Sequence, residues 1–208
     1  MIRGRFITLE GGEGVGKSTQ ARLLAEALRQ RGLDVVVTRE PGGTPGAERI
    51  RDLLLDPTSP DWGPRAEALL FAAARADHIA NAIVPALERG AWVVCDRYLD
   101  STRAYQAGEG GLKDADILAL HRHGAGGLMP DLTILLSASS AAVSDRLRAR
   151  DGENSDRIGG RDARFHARVA DRFAAIAEAE PDRVAVVEAM GAPEEVHARI
   201  MAALERLA

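Results

Sequence analysis

The stretch Glu10-Gly11-Gly12-Glu13-Gly14-Val15-Gly16-Lys17-Ser18-Thr19 follows a short apolar run, Phe6 to Leu9, and opens a helix-forming segment near Lys17. A glycine, four residues and then Gly-Lys-Ser is the spacing of a nucleoside-triphosphate phosphate loop. Glycines at 11, 12, 14 and 16 let the backbone curl until successive N–H groups point at one anion. The helix that follows adds the positive end of its dipole. Lys17 reaches the β- and γ-phosphates, and Ser18 offers a hydroxyl to Mg2+. The plain alternative is a glycine-rich turn that holds nothing. A strand before, a helix after and the Lys-Ser pair weigh against it, so a bound nucleotide is expected.

With 208 residues and 46% hydrophobic content, the chain can bury a core as one domain, or one domain with a lid. It carries 27 basic and 31 acidic residues, a net charge of −4, so nothing marks it for non-specific nucleic-acid binding. The single cysteine, Cys95, excludes an internal disulfide framework and suits a reducing compartment. No apolar stretch is long enough for a bilayer, and MIRGRFITLEGG has no signal-peptide core. The expectation is a cytoplasmic protein with no membrane partner.

Hydrophobic periodicity orders the rest. Leu23, Leu24, Ala27 and Leu28 predict a helix over Lys17–Arg31 that Gly32 stops. A strand over Asp34–Thr38 delivers Arg39 and Glu40 at its end. A short helix runs through Ile50 and Leu53–Leu55, then a loop holds Pro57, Pro60, Trp62 and Pro64. A long helix spans about Arg65–Glu88, kinked or restarted near Pro85. A third strand, Ala91–Asp96, ends in a carboxylate. Loop and helix follow over Arg97–Gln106, and another helix over Asp114–His123. After a strand at Leu132–Leu136 come a helix at Ser139–Arg150, a polar, mobile stretch at 151–162 and a helix at Arg164–Ala179. A strand at Val184–Val187 and a helix from Pro193 close the chain. Alternating strands and helices mean an α/β fold with a parallel sheet covered on both faces. Its ligands sit beyond the carboxyl ends of the strands, where the phosphate loop, Arg39-Glu40 and Asp96-Arg97 all fall.

Asp96 stands where a magnesium-positioning carboxylate belongs, the alternative being a helix cap. Arg39 and Arg97 face the crevice beside the triphosphate, and a guanidinium grips phosphate with two N–H groups. They suggest an acceptor that is itself phosphorylated; surface salt bridges are the alternative. Arg146, Arg148, Arg150 and Arg157 bracket the polar stretch, where an arginine finger on a lid would stabilise the transferring phosphoryl group. A solvated basic face remains open for Arg148. Phe71 and Arg75, one helical turn apart, suit stacking on a base and bonding its edge, although a helix Phe is more often core. Cys95 reads as a small buried side chain, His121 and His123 as helix-end dipole partners and Trp62 as a loop anchor.

The string of motifs resembles the bacterial thymidylate kinase (dTMP kinase) family. The matching pieces are the phosphate loop, TREPGGT at 38–44, LLFAAARADH at 69–78, DRYLDSTRAYQAG at 96–108, PDLTILL at 130–136 and RLRARDGENSDRI at 146–158. They occur in family order along the whole chain. The resemblance implies a P-loop nucleoside monophosphate kinase-like fold, five parallel strands with helices on both faces and a short lid at about 146–162. It implies one domain over 1–208, phosphorylation of dTMP to dTDP by Mg-ATP in dTTP synthesis, and a homodimer.

Carried over by residue, the resemblance has Gly11, Gly12, Glu13, Gly14, Val15, Gly16, Lys17, Ser18 and Thr19 hold ATP, with Ser18 and Asp96 at Mg2+. Glu13 also approaches the sugar 3′-hydroxyl of dTMP. Arg39 and Arg97 match the arginines on its phosphate, Phe71 the ring on thymine and Arg75 the guanidinium at the base edge. Ser101, Thr102 and Gln106 surround the base, and Tyr105 crowds the sugar 2′ position. The loop carries no arginine, so the lid supplies the cation, with Arg150 first and Arg146 and Arg157 behind it. The chain departs from the family in Gly159-Gly160 after DRI, in Ser137 and Ser140-Ala141 after the fourth strand, and in Ala107. A kinase for another nucleotide or nucleoside is one competing reading. A nucleotide switch or passive binder is another, although the chain lacks an NKxD-like guanine signature and a passive binder has no use for lid arginines.

Overall fold

The computed structural model describes residues 3–58, 62–108, 110–138 and 157–207. Strands β1 (Phe6–Glu10), β2 (Val35–Arg39), β3 (Trp92–Asp96), β4 (Leu132–Ser137) and β5 (Val184–Glu188) form one sheet in the order β2-β3-β1-β4-β5. All four ladders are parallel. β1 is central and buried along its whole length, while the edge strands β2 and β5 expose Val37 and Val186. Alternation splits β1 between the two faces. Ile7 and Leu9 pack with α1 (Lys17–Gln30) and α8 (Pro193–Ala203), whereas Phe6 joins Val93 and Cys95 against the helical layer opposite.

That layer contains α3 (Gly63–His78), a π-helical segment (Ile79–Ile83), α4 (Val84–Glu88) and α6 (Asp114–Ala125). The expected long helix is therefore present but starts earlier. Pro64, expected in the loop, occupies the first turn, where no N–H is required of it. Pro85 does not break the helix. The Val84 N–H bonds back five residues to the Ile79 carbonyl, a π turn that takes up the missing donor and the ring's bulk.

Strands also run about one residue further than the apolar pattern indicated. Arg39 pairs with Asp96, and Ser137 with Glu188, so ladder bonding continues after the hydrophobic run has ended. α2 (Pro45–Leu55) is capped by Thr44, whose hydroxyl accepts from the Ala47 N–H. The expected helix at 139–150 lies outside the described residues, as does the first half, 151–156, of the stretch expected to be mobile. Its described end, residues 157–160, is a turn that buries Ile158 in the cluster around Phe173 of α7 (Ala163–Ala179). No helix among the described residues is long and apolar enough to cross a membrane.

α5 (Leu99–Gln106) is only two turns long and is fixed by charge. Asp100, almost fully buried, accepts from Arg103 at 3.0 Å and from Arg183 at 2.7 Å. Arg183 also donates to Thr133 Oγ1 on β4, which lies 2.8 Å from Thr8 Oγ1 on β1. The helix is thus tied to β4 and, through it, to β1. Asp100→Ala leaves the buried Arg103 and the half-buried Arg183 short of their shared acceptor and is expected to cost roughly 3–5 kcal/mol of stability, read from urea midpoints. A loss below about 1 kcal/mol, within the range of an exposed pair, would show that the network carries no such load.

Candidate active site

The phosphate loop closes over the end of β1. Gly11 has φ 133°, and a side chain there would strike the Leu136 carbonyl, so only glycine fits. Gly16 is the left-handed N-cap of α1 and offers no side-chain cap, which leaves first-turn N–H groups directed into the loop. Val15 is buried in the core and anchors the loop from beneath. Lys17 bends back so that Nζ donates to the Gly12 carbonyl at 2.6 Å and the Gly11 carbonyl at 3.3 Å. Burial, with Arg97 nearby, pushes its ammonium down to about 8. A bound polyphosphate would replace those carbonyls with far stronger acceptors.

Ser18 and Asp96 meet at the mouth of the loop, the hydroxyl donating to the carboxylate at 2.6 Å. A hydroxyl and one carboxylate beside a phosphate site are the oxygen donors that Mg2+ takes when nucleotide and water complete its shell. No group of three or more His, Cys, Asp or Glu among the described residues forms a separate metal cage.

A cavity of about 430 Å3 opens beside the loop at the carboxyl edge of the sheet. Arg97 stands between the two. Its Nη1 donates to the Gly11 carbonyl and to Ser101 Oγ, both at 3.0 Å, and its Nη2 to Glu13 at 2.7 Å and Tyr105 Oη at 3.2 Å. Its guanidinium lies 5.1 Å from the Tyr105 ring centre. Burial opposes the charge, but Tyr105, Glu13, Glu10 and Asp96 more than offset it and hold the group above its ordinary value.

Phe71, Arg75, Thr102 and Gln106 line the far wall. Arg75 is buried and held on its inner side, donating from Nε to Glu40 at 2.7 Å and from Nη2 to Thr102 at 2.8 Å and the Tyr98 carbonyl at 3.1 Å. Glu40 lies 3.0 Å from His78 Nδ1, and His78 Nε2 lies 2.7 Å from Thr38 Oγ1. Gln106 Nε2 donates to Glu67 at 3.2 Å. Arg39 also lines the cavity, but its side chain is 53% exposed and paired with Glu48 at 3.0 Å. Thr19 is exposed at the start of α1.

Arg157 is not at this cavity. It donates to the Leu54 carbonyl and to Glu67, which also takes Arg161, and it lines an adjacent cavity with Phe165, Arg168 and Arg172. Arg146, Arg148 and Arg150 lie outside the described residues. Cys95 is buried and free, and burial pushes its thiol up. Trp62 donates to the Leu53 carbonyl and His121 lies against the Leu128 carbonyl, so both are structural.

Besides Asp100, sequence reasoning missed three buried carboxylates that bond to residues of the cavity, Glu10, Glu40 and Glu67. Glu40 sat within the TREPGGT run, but nothing in the pattern showed that it faces Arg75. Glu67 reads like any polar residue at the start of a helix. Glu10 is the first residue of the loop motif, yet its side chain bonds to residues 98 and 101 instead. One oxygen accepts from the Tyr98 and Ser101 N–H groups at 2.7 and 3.2 Å, and the other from the Ser101 hydroxyl at 2.6 Å. Burial, reinforced by Asp100, raises its carboxyl to about 7.

A family model described as thymidylate kinase matches residues 9–200. A thymidylate kinase of Rhizorhabdus wittichii is 58% identical over 215 residues, covering 98% of each chain. One from Chromohalobacter salexigens is 50% identical over 210 residues, covering 100% of this chain and 99% of its own. In three dimensions the chain is similar to a crystal structure of thymidylate kinase from Ehrlichia chaffeensis, with a TM-score of 0.77 at 33% identity over 98% of this chain and 99% of that one.

Glu10 gives the site a pH signature. Its carboxyl titrates at 4.5 ordinarily and about 7 in the fold, so the native state holds the proton more tightly and stability falls as pH rises between these values. Glu10→Gln removes that dependence. Relative to the parent protein it is expected to gain up to about 3 kcal/mol between about pH 5 and pH 8, measured by urea unfolding across the range. A difference that stays flat would mean that Glu10 is ionised throughout.

Proposed function

We propose a residue-level assignment on the premise that this chain belongs to the thymidylate kinase family, nucleoside monophosphate kinases that phosphorylate dTMP to dTDP with ATP. ATP lies on the backbone N–H groups of residues 11–16, with Lys17 on its outer phosphates and Thr19 at the loop's end. Ser18 and Asp96 would hold Mg2+, which when bound neutralises charge on the transferring group. dTMP fills the 430 Å3 cavity, a volume suited to a small ligand.

In this reading Arg97 grips the dTMP phosphate, and Arg39 leaves Glu48 to join it. Phe71 stacks on thymine. The guanidinium of Arg75, with Thr102 and Gln106, meets the base edge, and Ser101 lines the same wall. Glu13 and Tyr105 flank the sugar. Two phosphates then face each other across Arg97, and transfer in line requires positioning and charge neutralisation rather than a covalent intermediate. Arg150, or Arg146 behind it, supplies the cation at the transition state. Arg157 stays with Glu67 and takes no part in the chemistry.

The observation that carries the assignment is the place of Arg97, bonded to the loop at Gly11 on one side and to the cavity wall at Ser101 and Tyr105 on the other. A passive nucleotide binder has no need of a cation there, and an unphosphorylated acceptor has no group to meet it. The single, buried Cys95 supports a cytoplasmic location. We also propose a homodimer, for which Leu69, 56% exposed on α3, offers an apolar contact.

ADP release with Mg-ATP should be fastest on dTMP and negligible on thymidine. dUMP should be slower by roughly 5- to 150-fold, because one methyl group is worth about 1–3 kcal/mol. Comparable turnover on thymidine would remove the phosphate-gripping role. Arg97→Ala should raise KM for dTMP roughly 10- to 100-fold, the range for a lost charged hydrogen bond, while Arg150→Ala should lower kcat with dTMP binding little changed. Equal losses of kcat and dTMP affinity in Arg150→Ala would move that residue to ground-state binding.

A further inference from the structure

Arg97 is a non-glycine residue with φ 69°, in the left-handed region that side chains disfavour. Its own backbone groups are held by Cys95 Sγ, 3.0 Å from the Arg97 carbonyl, and by the Leu9 carbonyl, which accepts from the Arg97 N–H at 2.9 Å. Tyr98, the N-cap of α5, makes no side-chain capping bond, so the first N–H groups of that helix need acceptors from elsewhere. The acceptor comes from a different strand. Glu10, last residue of β1, accepts from the Tyr98 and Ser101 N–H groups through Oε1 and from the Ser101 hydroxyl through Oε2. The proton of that hydroxyl is committed to Glu10, which leaves the Ser101 oxygen lone pairs turned toward Arg97 Nη1 at 3.0 Å. One carboxylate therefore holds both the chain directly after Arg97 and the acceptor on which its guanidinium rests.

We propose that Glu10 is the positioning residue of Arg97 and, through it, of the acceptor's phosphate. The inference rests on the reading that Arg97 grips that phosphate. Glu10 lies buried behind the turn and makes its contacts to 98 and 101, so it acts on the acceptor through Arg97 rather than by touching it. Glu10→Gln keeps the shape and the oxygen that accepts from the two N–H groups. It reverses the bond to Ser101, however: an amide N–H now donates to Oγ and competes with Arg97 for the same oxygen.

The test is a double-mutant cycle of Glu10→Gln and Arg97→Lys, assayed at about pH 8 with KM measured for dTMP and for ATP. Glu10→Gln is expected to raise KM for dTMP about tenfold and to change KM for ATP less than about twofold. Added to Arg97→Lys it should cause no further loss, because its effect passes through that side chain. A parent-like KM for dTMP in Glu10→Gln, additive effects, or equal losses for both substrates would overturn the inference. Arg97→Lys with a parent-like KM would sink the phosphate-gripping reading instead, a result the cycle separates. Thermal midpoints establish that each protein is folded. If Glu10→Gln does not fold, Ser101→Ala breaks the same connection from its other end. Its dTMP effect must likewise vanish in the Arg97→Lys background, and persistence there would overturn the proposal.

Discussion

A guanidinium can leave water only where acceptors surround it, and the organisation of this protein follows from meeting that condition at Arg97. Its partners come from separate parts of the chain: a carbonyl and a carboxylate of the phosphate loop, and a hydroxyl and a phenol on α5. They converge because β1 and β3 are adjacent and parallel, so the loop after β1 and the turn after β3 emerge at the same edge. Any topology that separated those two strands would leave the cation with half its partners. The parallel order is therefore a requirement of the site as well as of the core.

The fold was legible in the sequence because its signals are local. Apolar runs marked all five strands, and Gly32 and Pro193 marked two of the helix ends. What failed was also local in cause. Strand ends ran past the apolar pattern, since Arg39 and Ser137 gain ladder bonds that hydrophobicity does not report. Pro64 was read as a loop residue although a first helical turn tolerates it, and the π turn before Pro85 has no signature beyond the proline itself.

The site was legible where its residues fall in motifs. Lys17, Ser18, Asp96, Arg97, Phe71 and Arg75 follow recognisable motifs, and the fold brings all of them to one edge. Arg157 illustrates the opposite case. Its place beside the polar stretch suggested a role in transfer, but proximity in sequence gave no hint that Glu67, ninety positions earlier, would receive it. Partners of that kind are long-range, and a single sequence does not encode which carboxylate meets which cation in any periodic form.

The three missed carboxylates share one arrangement. Glu10 stands behind Ser101 and Arg97, Glu40 behind Arg75, and Glu67 behind Gln106. Each is buried, and each bonds to a residue that lines the cavity, Glu40 reaching the cavity wall as well. Burying a carboxylate is costly, and well-packed apolar side chains in its place would often be at least as stable. Stability is thus a weak explanation for all three. An apolar neighbour would fill the space but leave a guanidinium or amide free to rotate. A carboxylate fixes direction, because its two oxygens accept along defined lines. Burial, with Asp100 nearby, raises the Glu10 carboxyl, in keeping with that cost. A site whose work is positioning charge before a phosphoryl group moves gains more from fixed dipoles than from extra core packing. The stability given up at Glu10 is recovered elsewhere, in the apolar layers on either face of the sheet.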